Sequence, residues 1–97
     1  MGRLTDKLRR IGGRGTAACE HLDQIRDVAP RTDGCEECLA DGGRWVALHL
    51  CLTCGHVGCC VSSPGAHAKK HYLETGHPVI RSVERGWRWC YPDKTYV

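Results

Sequence analysis

The sequence has little of what normally builds a hydrophobic core. Its 97 residues include no phenylalanine, a single methionine and only 41% apolar residues, while glycine occurs 12 times. A chain of this length is expected to form one domain. So small a core offsets the entropy of folding poorly, and such domains usually depend on disulfides or bound metal. The composition therefore predicts a cross-linked domain.

Long apolar segments are missing as well. No run approaches the ~20 residues that would cross a bilayer, and no apolar signal segment follows Met1. We therefore expect a monomeric, cytoplasmic protein with no membrane span, in a compartment where disulfides are rare. The formal net charge of +3 is too small to favour nucleic acid as a partner by itself.

Cysteine and histidine, by contrast, are abundant. The chain has 8 cysteines and 6 histidines, and four of each lie between Cys51 and His77. Two Cys-x2-Cys pairs, beginning at Cys35 and Cys51, have the spacing of metal ligands, and disulfide scaffolds do not need the accompanying histidines. Mixed thiolate and imidazole donors suit the tetrahedral preference of Zn2+. We therefore expect zinc, rather than disulfides, to cross-link the domain.

The chain divides into two parts by composition. Residues 1–18 are rich in arginine and lysine and end among glycines, which predicts a flexible basic extension. Residues 19–97 contain every cysteine and histidine and are expected to form the zinc domain.

One main helix is predicted in the second part. Ser63 followed by proline is typical of a helix start, and Gly76 is typical of a helix end. The prediction is a helix over about 64–75, with His67 and His71 one turn apart on its inner face.

Short strands are predicted around this helix. The run over 44–51 predicts a half-buried strand. Its two faces would hold Val46, Leu48 and Leu50 on one side and Trp45, Ala47 and His49 on the other. Further strands are expected over 78–83 and 87–91. The predicted fold class is therefore α+β, a short antiparallel sheet packed against one main helix.

The ligands can be divided among sites in several ways. A DNA-reading finger with two cysteines and two histidines fits the spacing of Cys51, Cys54, His67 and His71. Such a finger needs apolar residues between its ligand pairs, where this chain has Gly58 and Pro64. A zinc ribbon fits the spacing of Cys35, Cys38, Cys51 and Cys54, but it leaves the helix histidines without a role.

Counting every plausible ligand gives enough for three complete tetrahedra. The twelve are Cys19, His21, Cys35, Cys38, Cys51, Cys54, Cys59, His67, His71, His77, Cys90 and Asp93. Sites closed by four protein ligands are structural and leave no position for a reactive water. We therefore expect up to three structural Zn2+ ions and no enzyme.

Five motifs follow one another between Cys19 and Tyr96, and their combination is specific. They are CEH, CEEC, CLTCGHVGC, HAKKHYLETGHPV and WCY. In this combination the chain resembles the UBP-type zinc finger, the ubiquitin-binding module of ubiquitin-specific proteases and of one histone deacetylase. The resemblance implies an interleaved division of the ligands. The implied groups are Cys19 and His21 with Cys90 and Asp93; Cys35 and Cys38 with Cys59 and His67; and Cys51 and Cys54 with His71 and His77.

The same resemblance implies a binding pocket beside the last strand. In the family this pocket takes a free C-terminal tail between aromatic side chains. The matching aromatic residues here are Trp45, Trp89, Tyr91 and Tyr96. The position of the family's tail-binding arginine holds Val61, which argues against ubiquitin itself as the ligand. The expected partner is therefore a protein or peptide that offers an extended segment or a free C-terminal tail.

Two other classes of function are compatible with the residues. One is a basic nucleic-acid-binding zinc protein that uses the N-terminal extension with Arg81, Arg85 and Arg88. The other is a zinc-thiolate redox or metal sensor, in which Cys60 would be the reactive thiol.

Overall fold

An antiparallel sheet of five short strands is the frame of the computed structural model, which describes residues 20–97. The strands, in chain order, are β1 Leu48–Cys51, β2 Val57–Cys59, β3 Val79–Ser82, β4 Arg88–Cys90 and β5 Thr95–Tyr96. Their order across the sheet is β2-β1-β3-β4-β5, and every neighbouring pair is antiparallel. The α+β prediction is confirmed. The predicted extension over 1–18 and Cys19 lie outside the described residues.

Within residues 20–97, three helical segments accompany the sheet. They are a 3-10 turn at Glu20–Gln24, a short helix α1 at Glu36–Asp41 and the main helix α2 at His67–Thr75. Helix α2 ends at Gly76 as predicted, because this glycine has the left-handed φ of 78° that commonly closes a helix.

The predicted start of the main helix is wrong by three residues. The hydroxyl of Ser63 accepts a hydrogen bond from the Val46 backbone N–H, so it does not cap α2. The backbone N–H of His67, the first helical residue, instead donates to Cys59 Sγ at 3.2 Å. A cysteine sulfur, rather than a serine cap, therefore receives an N–H of the first helical turn.

The core is small and rich in cysteine. It comprises Cys35, Cys38, Leu48, Leu50, Leu52, Val57, Cys59, Val79 and Cys90. The register pairs Leu48 with Cys59 and Leu50 with Val57, which places these side chains on one face of the sheet. The strand predicted over 44–51 begins only at Leu48, and Val46 is 70% exposed rather than buried. Four of the nine core side chains are thus thiols with metal-binding chemistry.

The main helix crosses the sheet at a glycine. A Cβ atom on Gly58 would lie 2.5 Å from the backbone nitrogen of Ala68 and 2.7 Å from its Cα. Only glycine permits helix and strand backbones to approach so closely. This contact places the first two turns of α2, which carry His67 and His71, directly over the sheet.

None of the helices within residues 20–97 has the length and apolar character needed to cross a membrane.

Candidate metal centres and an adjoining groove

The first cluster of metal-binding side chains joins α1, β2 and the start of α2. Its members are Cys35, Cys38, Cys59 and His67. Nδ1 of His67 lies 3.3, 3.5 and 3.3 Å from the sulfurs of Cys35, Cys38 and Cys59, respectively. Cys35 precedes α1 and Cys38 lies one turn into it, so the short helix brings both thiols to one point.

The second cluster joins the turn between β1 and β2 to the end of α2. Its members are Cys51, Cys54, His71 and His77. Cys51 Sγ lies 3.5 Å from His77 Nδ1, and Cys54 Sγ lies 3.3 Å from His71 Nε2. The turn is closed by a hydrogen bond from the Gly55 N–H to the Cys51 carbonyl at 2.9 Å. Gly55 has φ 87°, which explains why glycine follows this Cys-x2-Cys pair.

The third cluster ties the first described residues to the last strands. His21, Cys90 and Asp93 lie together, with Nδ1 of His21 at 3.4 Å from both Cys90 Sγ and Asp93 Oδ2. The fourth predicted member, Cys19, lies outside the described residues.

The described members of the three groups lie together in the division that the resemblance implies. In each, one candidate ligand atom per residue lies within 4.8 Å of all the others. The two alternatives drawn from spacing alone do not match, because His67 and His71 belong to different clusters and Cys35 and Cys38 do not meet Cys51 and Cys54. Whether each residue ligates an ion stays a prediction.

The distances fit a tetrahedral zinc ion. Zinc bonds of about 2.3 Å to sulfur and about 2.0–2.1 Å to nitrogen give sulfur–nitrogen edges of about 3.6 Å and sulfur–sulfur edges of about 3.8 Å. The observed sulfur–nitrogen distances in the first two clusters are 3.3–3.5 Å. The sulfurs of Cys38 and Cys59 are 4.0 Å apart, far beyond a disulfide bond, and none of the seven cysteines within the described residues forms a disulfide.

The protonation states of these groups are compatible with metal binding. Burial, followed by the neighbouring cysteines, raises the pKa of the Cys38 thiol to about 12, and burial raises the pKa of Cys35 and Cys51. Burial, followed by the nearby His56 and His77 rings, lowers the pKa of His71 to about 4, which keeps this imidazole in the neutral form that binds metal. Buried thiols of this kind become thiolates when a divalent cation binds them.

A carboxylate and an imidazole connect the first two clusters. His56 is 3% exposed, and its Nε2–H donates to both carboxylate oxygens of Glu37, at 2.8 and 3.0 Å. The ring of His56 stacks on His71, with centroids 4.0 Å apart and an interplanar angle of 8°. Sequence reasoning missed this link, although an acidic residue inside the CEEC motif and a histidine after CLTCG are its visible signs.

An aromatic groove lies between α2 and the strands β4 and β5. Its volume is about 580 Å3. The lining residues are His49, Val61, Lys69, Tyr72, Leu73, Ile80, Trp87, Trp89, Tyr91, Pro92, Lys94 and Tyr96. Trp89 meets Tyr96 edge to face at 5.0 Å, and Tyr72 stacks on Tyr91 at 4.7 Å. The walls are therefore formed largely by aromatic rings that contact one another.

The structure brings three of the four predicted binding residues, Trp89, Tyr91 and Tyr96, to this groove together with Val61. Trp45 is not among the lining residues, since its indole packs against Gly34, where a Cβ atom would lie 2.6 Å from the ring.

The charges of the groove are carried by two lysines. Lys69 and Lys94 line it, and no lining residue is acidic. Burial, followed by the Cys51 and Cys60 thiols, raises the pKa of Tyr91 to about 12, so its hydroxyl stays protonated and can donate a hydrogen bond. An apolar, aromatic cleft with cations of this kind is suited to an apolar segment that carries a negative charge.

The described residues considered for nucleic-acid binding and for redox sensing do not line the aromatic groove. Arg81 and Arg88 face each other across β3 and β4 beside a second depression. Cys60 is only 8% exposed and contacts the Ser63 hydroxyl at 3.4 Å. Burial opposes ionisation of this thiol, but hydrogen bonds from Ser63 and nearby backbone groups outweigh it and lower the pKa of Cys60.

Comparison with known proteins agrees with this geometry. The chain is 51% identical to protein RPA1320 of Rhodopseudomonas palustris, whose solution NMR structure superposes with a TM-score of 0.77 and covers 84% of this chain and 81% of that one. It is also 32% identical over 85 residues to ubiquitin carboxyl-terminal hydrolase 44 of Ailuropoda melanoleuca. This match covers 81% of this chain and 11% of that protein.

A further relative is the RING finger protein ETP1 homolog of Schizosaccharomyces pombe, 29% identical over 90 residues, which are 93% of this chain and 15% of that protein. The chain thus spans a small part of these two longer relatives. The model of the zf-UBP family, described as "Zn-finger in ubiquitin-hydrolases and other protein", matches residues 35–97. With these matches and the cysteine–histidine clusters together, the chain belongs to the zf-UBP zinc-finger family.

Proposed function

We propose that this zinc finger is a binding module for peptide tails, held in shape by up to three zinc ions. The first two clusters supply four ligands each, and Cys19 would complete the third. When bound, zinc supplies cross-links between segments that are distant in the chain, such as α1 with β2 and α2. The two four-residue clusters leave no ligand position for a reactive water, which supports a non-catalytic module. Ligands that must stay reduced thiols suit a reducing compartment such as the cytoplasm.

The observation that carries the binding proposal is the aromatic groove with its two lysines. Trp89, Tyr91 and Tyr96 offer flat walls to an extended backbone, and Lys69 and Lys94 offer positive charge to its end. A free C-terminal carboxylate is the negative group that every protein tail carries, and charge-assisted hydrogen bonds to it are stronger than neutral ones. The groove therefore fits a tail with a free C-terminus.

Calorimetric titration with two peptides tests this function. An extended peptide that ends in a free Gly-Gly carboxyl is expected to bind about tenfold more tightly than the same peptide with an amidated end, because the amide removes the charge that faces Lys69 and Lys94. Lys94→Gln and Lys69→Gln should reduce this preference. Lys70→Gln is the matched control, since Lys70 is exposed on the same helix and does not line the groove.

Equal affinity for the free and the amidated peptide would contradict recognition of the carboxylate. Failure of both peptides to bind would contradict the groove as a site for such tails.

Replacing Val61 gives an independent prediction. Val61 lines the groove and is 65% exposed, so an arginine there can reach a bound carboxylate without burial of its charge. We expect Val61→Arg to strengthen binding of the free-acid peptide by about tenfold, through a bidentate contact, and to leave the amidated peptide little changed. Val46→Arg, an exposed position outside the groove, is the control. A Val61→Arg protein that binds no better than Val46→Arg would show that the carboxylate does not lie near this wall.

A further inference from the structure

We propose that Glu37 and His56 couple the first and second clusters, so that zinc enters and leaves the two together. The inference rests on the proposed zinc occupancy of both clusters, but it assigns a role to two residues that are not ligands in either. It starts from their positions: Glu37 lies between Cys35 and Cys38 in sequence, and His56 follows the turn that carries Cys54.

The first step of the link runs from the first cluster to His56. The carboxylate of Glu37 lies 3.8 Å from Cys35 Sγ and accepts hydrogen bonds from His56 Nε2 at 2.8 and 3.0 Å. Three thiolates and an imidazole leave about one net negative charge on a zinc ion, and Glu37 adds to it. The N–H of His56 offsets this accumulation of negative charge. Zinc binding at the first cluster is therefore favoured when His56 is held in place.

The second step runs from His56 to the second cluster. The His56 ring lies flat against His71, a proposed ligand whose Nε2 is 3.3 Å from Cys54 Sγ. A metal ion on His71 fixes the plane of its ring, and the stacked His56 ring is then fixed in the orientation that reaches Glu37. Groups hydrogen-bonded behind metal ligands commonly change metal affinity by about 10- to 100-fold; here Glu37 lies beside the Cys35 sulfur, and His56 reaches His71 by ring stacking.

A neighbouring contact strengthens the same connection. Glu36 accepts two hydrogen bonds from Arg31, at 2.9 and 3.0 Å, while the Arg31 backbone N–H donates to the Gly55 carbonyl in the turn of the second cluster. Helix α1 is therefore attached to that turn by both of its consecutive glutamates. Coupling between two binding sites is reciprocal, so each ion should raise the affinity for the other by the same factor.

The coupling can be tested without a binding partner. The whole chain is isotopically labelled, loaded with zinc, and titrated with a chelator while amide signals near each cluster are followed by NMR. In the wild-type protein, signals beside Cys38 and beside Cys54 should disappear at the same free zinc concentration. In Glu37→Gln, which keeps the shape of the side chain but removes its charge, the two midpoints should separate by about tenfold. Glu74→Gln, the same change on an exposed part of α2, should behave as the wild type.

A role of Glu37 in stability alone would move both midpoints together and leave them coincident. Coincident midpoints in Glu37→Gln would therefore overturn the coupling, and so would separate midpoints in the wild type. A wild-type protein that holds no zinc would instead overturn the proposed function.

Discussion

Removal of zinc by a chelator is expected to unfold residues 20–97 cooperatively. The hydrophobic core has nine buried side chains, and four of them are cysteines of the proposed metal sites. Structural zinc sites contribute about 10–16 kcal/mol of apparent binding free energy, which matches or exceeds the 5–15 kcal/mol that stabilises an ordinary domain. Without the ions, the buried cysteines are neutral thiols that no longer join distant segments, and few aliphatic side chains remain to hold five short strands.

The measurement is the dispersion of amide NMR signals, with circular dichroism, under reducing conditions before and after a chelator is added. The dispersion should collapse and return when zinc is restored. Reductant alone is the control and should change nothing, since the described cysteines form no disulfides. A fold that survives complete removal of metal would contradict the structural role of zinc.

The second large effect is expected at Gly58. Gly58→Ala places a Cβ atom 2.5 Å from Ala68 N, 2.7 Å from Ala68 Cα and 2.9 Å from His67 C, all of them backbone atoms that cannot rotate away. The helix α2 has to shift, and it carries one histidine of each of the first two clusters. We expect a loss of about 3 kcal/mol or more in the free energy of unfolding, from overpacking and distorted metal sites together.

Denaturant unfolding at a fixed free zinc concentration measures this loss. Gly42→Ala is the matched control, because Gly42 has φ 77° and a Cβ atom added to it would meet nothing within 4 Å beyond its chain neighbours. That change should cost about 1–2 kcal/mol from backbone strain alone. If Gly58→Ala is as stable as Gly42→Ala, the close packing of α2 on β2 is not what positions the histidines.

The grouping of the metal-binding residues could be predicted from the sequence only by considering all the motifs together. The spacing of Cys51, Cys54, His67 and His71 alone favours a finger in which all four share one ion. The structure separates the two histidines, because α2 crosses β2 above Gly58 with His67 toward Cys59 and His71 toward Cys54. Side chains one helical turn apart can thus serve two sites when different segments pack against each turn.

The boundaries of the elements were harder to predict, because contacts between distant residues decide them. Ser63 and the proline after it have the chemistry of a helix start, but the Ser63 hydroxyl is engaged with the Val46 N–H. Likewise, Val46 continues the alternation of β1 but lies outside the paired region, where no neighbouring strand covers it. Both errors arise because tertiary contacts override a local pattern that is otherwise sound.

The groove, too, could be predicted from the sequence only in part. The aromatic residues of the last strands could be expected from the resemblance, and they line it. That Lys69 on α2 and Lys94 before β5 would both line it could not be expected, because they are 25 positions apart in sequence. The link between Glu37 and His56 is equally non-local, since it depends on how α1 packs beside the turn after β1.

The most direct test of the metal sites is the mass of the intact protein under native conditions. We predict at least two zinc ions on each chain, and a third if Cys19 joins His21, Cys90 and Asp93, with every thiol free once the protein is denatured. A folded chain that carries no zinc and whose mass shows cysteines oxidised in pairs would contradict both the proposed metal sites and the function built on them.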